Sequence, residues 1–238
     1  AYESSWLKCH EPEAFLAAML NPQPMGFYGP SQLIQDARRH GVVVLPPDVT
    51  VSDWDCTLEP PAAARAGERM RPAVRLGLRL VKSFDEKAAE RIAQARLQGR
   101  FSSVDDLARR ARPDVLAREA LAAADALRSL AGHRRQQAWQ RAALGAAPGL
   151  LREASIDEAA LALPAAPEGE EIVDDYAALG LTLRRHPLAL LRERLAPRGV
   201  RTAAELDALA PTRQVIACGL VTGRQRPATA NDPIFVTL

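Results

Sequence analysis

Asp53 and Asp55, one residue apart, are the nearest this chain comes to a carboxylate pair. Nucleotidyl transfer and other two-metal reactions need several carboxylates converging on ions about 3.5–4 Å apart. Asp53-Trp54-Asp55 follows a proline-ended strand and has no second acidic strand to complete such a cluster, so both read as surface acids. His186 has no serine, cysteine or carboxylate spaced to make it a general base, and reads as a turn histidine. Cys9, Cys56 and Cys218 are odd in number and far apart, without a CxxC or Cys/His cluster, which argues against a disulfide framework or a zinc site. Neither GxxxxGK[ST] nor GxGxxG occurs. No catalytic residue and no metal ligand is therefore expected in this chain. The remaining chemistry is cationic and suits phosphate: Lys82, Ser83 and Lys87 around one tight turn, Gly132, His133, Arg134 and Arg135 at a helix start, and Arg224 with Arg226 near the end.

The charge distribution points the same way. The formal net charge is only +2. Residues 1–64 carry 3 basic against 8 acidic side chains, residues 65–152 carry 19 against 9, and residues 153–238 carry 9 against 12. A basic block between acidic neighbours can neutralise phosphates and release counterions. Arginines on solvated helix faces would give the same count. Composition is 47% hydrophobic and 5% aromatic, dominated by Ala, Leu and Arg, which suits a globular, mainly helical chain of one large or two small domains. No apolar run nears the roughly 20 residues that cross a bilayer. The start AYESSWLKCH lacks the basic and apolar regions of a signal peptide. A cytoplasmic location without membrane contact is expected. Both ends read as cut from something larger.

The elements that must position these residues follow from periodicity and punctuation. Trp6, Leu7, Phe15, Leu16, Met19 and Leu20 fall on helical spacings, with a second helix beginning at Pro12-Glu13 after His10. Pro22 and Pro24 end it. Met25, Phe27 and Tyr28 read as packing or hinge residues. Ser31 is expected to cap a helix over 32–40 that Gly41 closes, and Val42–Leu45 a short buried strand ended by Pro46-Pro47. Residues 60–73 read as a connector, 74–142 as mostly helix, 143–167 as a weakly structured bridge and 168–210 as helical again. Val215–Val221 reads as a strand, 224–232 as a loop and Ile234–Leu238 as a second strand.

Within the basic block, Leu78–Arg96 (LRLVKSFDEKAAERIAQAR) has a short helix, a tight turn and a longer helix with a small-residue face at Ala88, Ala89, Ile92, Ala93 and Ala95. This is similar to a helix-hairpin-helix motif, whose turn usually carries two glycines that present N–H groups to a DNA phosphate. Ser83 and Asp85 stand at those positions. Asp85 is suited to capping the helix that begins at Glu86. Ser102 or Ser103 is expected to cap the next helix. A second unit follows, with Leu116, Ala120, Leu121 and Ala124 on one face, a turn at Asp125-Ala126-Leu127, and a helix starting near His133.

The segments QPMGFYGP and ADALRSLAGHRRQ, with Gly180, Leu181, Leu183, His186, Pro187 and Leu188 in LGLTLRRHPLALL, make the chain recognisable. It resembles the bacterial C-family replicative polymerases, and within them the error-prone, damage-induced branch of the DNA polymerase III alpha subunit. The resemblance implies a C-terminal portion: the end of the fingers over 1–59, a connector over 60–73, a tandem helix-hairpin-helix DNA-binding domain over 74–142, a bridge over 143–210 and the start of a small β-barrel (OB-fold) from 211. It implies DNA-directed DNA polymerase activity in the parent, using two Mg²⁺ ions in translesion synthesis and repair, with no cofactor held by this part. Implied partners are primer-template DNA and accessory mutagenesis proteins that give access to the sliding clamp, since 143–171 lacks a Gln- and Phe-containing clamp peptide. A non-catalytic DNA-binding or protein-interaction module of a repair complex stays open beside it.

Overall fold

The computed structural model describes residues 2–26, 28–60, 71–143, 161–210, 212–221, 223–226 and 234–237. Its first compact unit runs from Ala1 to Leu183. Helices α1 (Tyr2–His10) and α2 (Pro12–Leu20) sit where the apolar spacing puts them, Pro12 occupying the first turn of α2. α3 is Pro30–Arg39 and starts two residues before the expected position. Its cap is Gly29 rather than Ser31: Pro30 opens the helix with its fixed φ, and the Gln32 side chain accepts from the Gly29 N–H at 3.1 Å. Gly41 closes the helix at φ +84°. Met25 and Tyr28 are 36% and 61% exposed, so neither packs into the core; Phe27 lies outside the described residues.

The expected strand contracts to β1 (Val44–Leu45) and gains two partners that alternation did not show, β2 (Thr57–Glu59) and β3 (Ala73–Arg75). The order is β1-β3-β2, with β1 parallel and β2 antiparallel to β3 (Val44↔Val74, Leu58↔Val74). β3 replaces the end of the connector and the first residues of the expected helix. The rest of the connector, 61–70, lies outside the described residues. Arg75 forks onto Glu59 at 2.7 and 3.1 Å and donates to the Pro46 carbonyl at 2.7 Å, which fixes the register of the small sheet. Asn21 does the same for β2: its amide donates to the Cys56 carbonyl and accepts from the Cys56 N–H. Cys56 is buried, and burial pushes its thiol above the usual value by more than the Gly77 N–H brings it down.

After a 3₁₀ turn at Leu78–Leu80 come α4 (Glu86–Leu97), α5 (Val104–Ala111), α6 (Val115–Ala123), α7 (Arg128–Ala131), α8 (Arg134–Ala143) and α9 (Glu168–Ala178). Asp85 caps α4 by accepting from Ala88 N–H at 2.9 Å, and Ser103 caps α5 from Asp106 N–H at 3.1 Å, as their positions suggest. Two buried clusters form. One packs Leu16, Leu20 and Ile34 of the helical opening against Val74, Leu76 and Leu181. The other centres on Leu78, Ile92, Leu107, Leu121 and Leu127, with the small residues Ala88, Ala89 and Ala95 letting α4 approach closely. The loop 48–52 ties itself to this second cluster. Asp48 accepts from Thr50 N–H and hydroxyl and from the Ser129 hydroxyl, Ser52 donates to the Leu76 carbonyl, and Val49 N–H donates to Ala126.

The second unit runs from Arg184 to Leu238. It holds the short helices α10 (Pro187–Leu190), α11 (Arg192–Leu195) and α12 (Ala203–Asp207) and two strand pairs. His186 caps α10 through Nδ1, which accepts from the Leu188 N–H at 3.2 Å, so it serves as a turn residue. The expected strand 215–221 is not one strand. β5 (Ile216–Ala217) pairs in parallel with β4 (Val200–Arg201), and β6 (Gly223–Gln225) pairs antiparallel with β7 (Phe235–Thr237). Gly219 and the residues around it separate β5 from β6.

Candidate nucleic-acid interface

The first hairpin is built on backbone shape. Ser83 takes φ +60°, the left-handed conformation that glycine adopts most easily, so the turn keeps its form without glycine. Ser83 is exposed. Lys82 is committed elsewhere: its N–H donates to the Ala178 carbonyl, and its ammonium donates to the Tyr176 and Ala177 carbonyls at 3.0 and 2.8 Å. A cation on the last carbonyls of α9 satisfies orphan acceptors and suits the negative end of that helix. The structure therefore makes Lys82 a clamp between the turn and α9. Lys87, one turn into α4, is exposed.

The second hairpin is held by a side chain that the sequence pattern did not single out. Gln137 is fully buried; it accepts from the Leu127 N–H at 3.2 Å and donates to Asp125 Oδ1 and to the Gly132 carbonyl. The expected turn at Asp125-Ala126-Leu127 is present, with Asp125 at φ +57°. Gly132 takes φ +78° and ψ −135°, which a Cβ would strain, and its N–H donates to the Arg128 carbonyl. His133 accepts the Gln136 N–H on Nδ1, so Nε2 carries the proton that it gives to the Leu163 carbonyl at 2.8 Å.

Arg134 corrects the sequence expectation most sharply. It is 6% exposed, and its guanidinium binds Glu171 at 2.7 Å and Asp175 at 2.5 Å, with Asp174 at 3.8 Å. A duplex cannot reach it without breaking buried ion pairs. Arg135 stays exposed but pairs with Glu170 at 2.6 Å, and Arg141 pairs with Glu119 at 2.8 Å. The two hairpins, α6 and α9 border a cavity of about 630 Å³ lined by Lys82, Arg135 and Arg141 together with Glu119, Glu170 and Asp174. That mixture neutralises itself and does not make a phosphate cradle.

Asp53 and Asp55 are likewise taken, by Arg96 and Arg79. Neither carboxylate is left to share a metal with the other, and among the described residues no group of three His, Cys, Asp or Glu could hold an ion. Among the described residues, the pairing of Asp53 with Arg96 and of Asp55 with Arg79 does not suit a two-metal centre. Arg224, expected in a loop, lies in β6, and Arg226 follows that strand; both are exposed. What escaped the sequence reading is the polar face of α8. Arg134 and Gln137 are spaced for one helical face but are not apolar, so a search for apolar periodicity passes over them.

The helix-hairpin-helix motif family matches residues 41–137, the stretch that holds the two short helical hairpins joined by α5. Over 240 residues the chain is 59% identical to the error-prone DNA polymerase of Bordetella parapertussis. It is 56% identical over 237 residues to that of Aromatoleum aromaticum and 53% over 250 to that of Methylococcus capsulatus. Each match covers all of this chain and 22%, 22% and 24% of the relative, so the chain spans less than a quarter of their length. Along its whole length the chain is therefore similar to a part of proteins named error-prone DNA polymerase.

Proposed function

We propose that this chain holds the duplex part of primer-template DNA for an error-prone DNA polymerase acting in translesion synthesis and repair. The observation that carries the reading is identity of 52–59% along the whole chain to proteins named as error-prone DNA polymerases, together with the helix-hairpin-helix match over its basic block. Nucleotide addition with two Mg²⁺ ions is assigned in this reading to carboxylates elsewhere in the polymerase, so the chain alone does not extend a primer. The antiparallel β6–β7 pair, with Arg224 on it, supports an oligonucleotide-binding barrel beginning near residue 211. Accessory mutagenesis proteins, access through them to the sliding clamp and a cytoplasmic setting belong to the same reading. Among the described residues no helix is long and apolar enough to cross a membrane.

The test is binding of the full chain to a labelled DNA duplex over a salt series. Phosphate neutralisation predicts a linear fall of log affinity with log salt concentration. Absence of binding at low salt, or affinity indifferent to salt, would overturn the reading.

A further inference from the structure

Most cations of the basic block are already neutralised inside the fold. Between residues 71 and 143, ten arginines, among them Arg75, Arg96, Arg110 and Arg134, sit in ion pairs. Lys82 is tied to carbonyls of α9 and Arg118 lies on the Asp114 carbonyl. Among the described residues of that stretch, the cations left without a hydrogen-bond or ion-pair partner are Lys87, Arg91, Arg100 and Arg112, all exposed. Two of them, Lys87 and Arg91, are four residues apart on α4. Four residues is one helical turn, which places their side chains about 5–6 Å apart at Cβ. Continuing along the same line, at seven and eleven residues from Lys87, come Gln94 and the C-cap Gln98, both exposed and with no side-chain partner among the described residues. The buried residues of α4, Ala88, Ala89, Ile92 and Ala95, occupy another face.

We propose that the outer stripe of α4 formed by Lys87, Arg91, Gln94 and Gln98 is a track for the phosphate backbone of duplex DNA, and that it supplies the electrostatic contact that the second hairpin does not. The proposal rests on the duplex-holding reading above and names the residues that do the holding. The stripe offers hydrogen-bond donors over about 16 Å of helix, at 1.5 Å per residue, with the exposed carboxylates Glu86 and Glu90 along one edge of its N-terminal half. It carries no aromatic side chain on which unpaired bases could stack, which favours a duplex backbone over single-stranded DNA. Glutamines and long cations contact phosphate oxygens without reading sequence, so the track is expected to be indifferent to base composition.

The experiment is a salt titration of duplex binding by the full chain and by Lys87→Gln/Arg91→Gln. Each phosphate contact contributes about 0.9 to the slope of log affinity against log salt, so the double variant should lose about 1.8 from the slope. The charge-conserving Lys87→Arg/Arg91→Lys should keep it, which separates charge from disturbed packing. A double variant with the slope of the unaltered chain overturns the track while leaving duplex binding intact. Failure of the unaltered chain to bind in a salt-dependent way overturns the duplex reading itself, and the track with it.

Discussion

The two hairpins carry comparable numbers of positive side chains and use them in opposite ways. On the first, α4 turns Lys87 and Arg91 outward and leaves them unpaired among the described residues. On the second, α8 turns Arg134 inward and meets an acidic helix, α9, that contributes Glu170, Glu171, Asp174 and Asp175. Basic residues near a hairpin turn are therefore not equivalent to charge available to a polyanion. In the second hairpin Arg134 and Arg135 fasten α9 to the fold; in the first Lys82 clamps the end of α9, while Lys87 and Arg91 remain at the surface.

The sharpest way to break this comparison is Arg134→Ala. Removing one partner leaves Glu171 and Asp175 buried with their charge uncompensated, for which a loss of about 3–5 kcal/mol is expected. Urea unfolding of the full chain reads it; a loss under about 1 kcal/mol would mean that Arg134 behaves as a surface residue. Gln137→Ala comes next. It strands the buried Leu127 N–H and the Gly132 carbonyl, with an expected cost of about 1–3 kcal/mol in the same assay. A smaller effect, about 1 kcal/mol, is expected for Asp85→Ala, which removes the cap of α4 in the first hairpin. Lys87→Gln/Arg91→Gln should leave the unfolding midpoint nearly unmoved, because both side chains are exposed and unpaired.

The smallest effect is one of pH. Burial alone would raise the Asp106 carboxyl, but the Ser102 N–H, Arg110 and Arg109 outweigh it and hold it below the ordinary aspartate value. Its folded value lies below its unfolded one, so its contribution is complete above about pH 5 and fades as acid protonates the folded form. The stability gap between the unaltered chain and Asp106→Asn should be constant from pH 7 to 5 and close below pH 4. A gap that widens on acidification would contradict the assignment.

The local signals in the sequence identified what depends on neighbours along the chain. Asp85 and Ser103 announce the starts of α4 and α5, Gly41 the end of α3, and Asp125-Ala126-Leu127 the second turn. What stayed hidden depends on distant residues. β2 and β3 are three residues each, too short for alternation to show, and exist because they pair with one another and with β1. Arg134 reads as a surface cation until α9, 37 residues further on, covers it with two carboxylates. Lys82 looks like a phosphate ligand until the end of α9 comes to rest on its ammonium. Charge in a sequence can be counted, but its availability is set by tertiary pairing.

The most direct test compares the two hairpins in one titration: duplex affinity against salt for Lys87→Gln/Arg91→Gln and for Arg135→Gln/Glu170→Gln, which removes a whole ion pair from the second hairpin. The account predicts that the first variant loses about 1.8 from the slope and the second almost nothing. Equal losses from both, or a loss confined to the second, would contradict it.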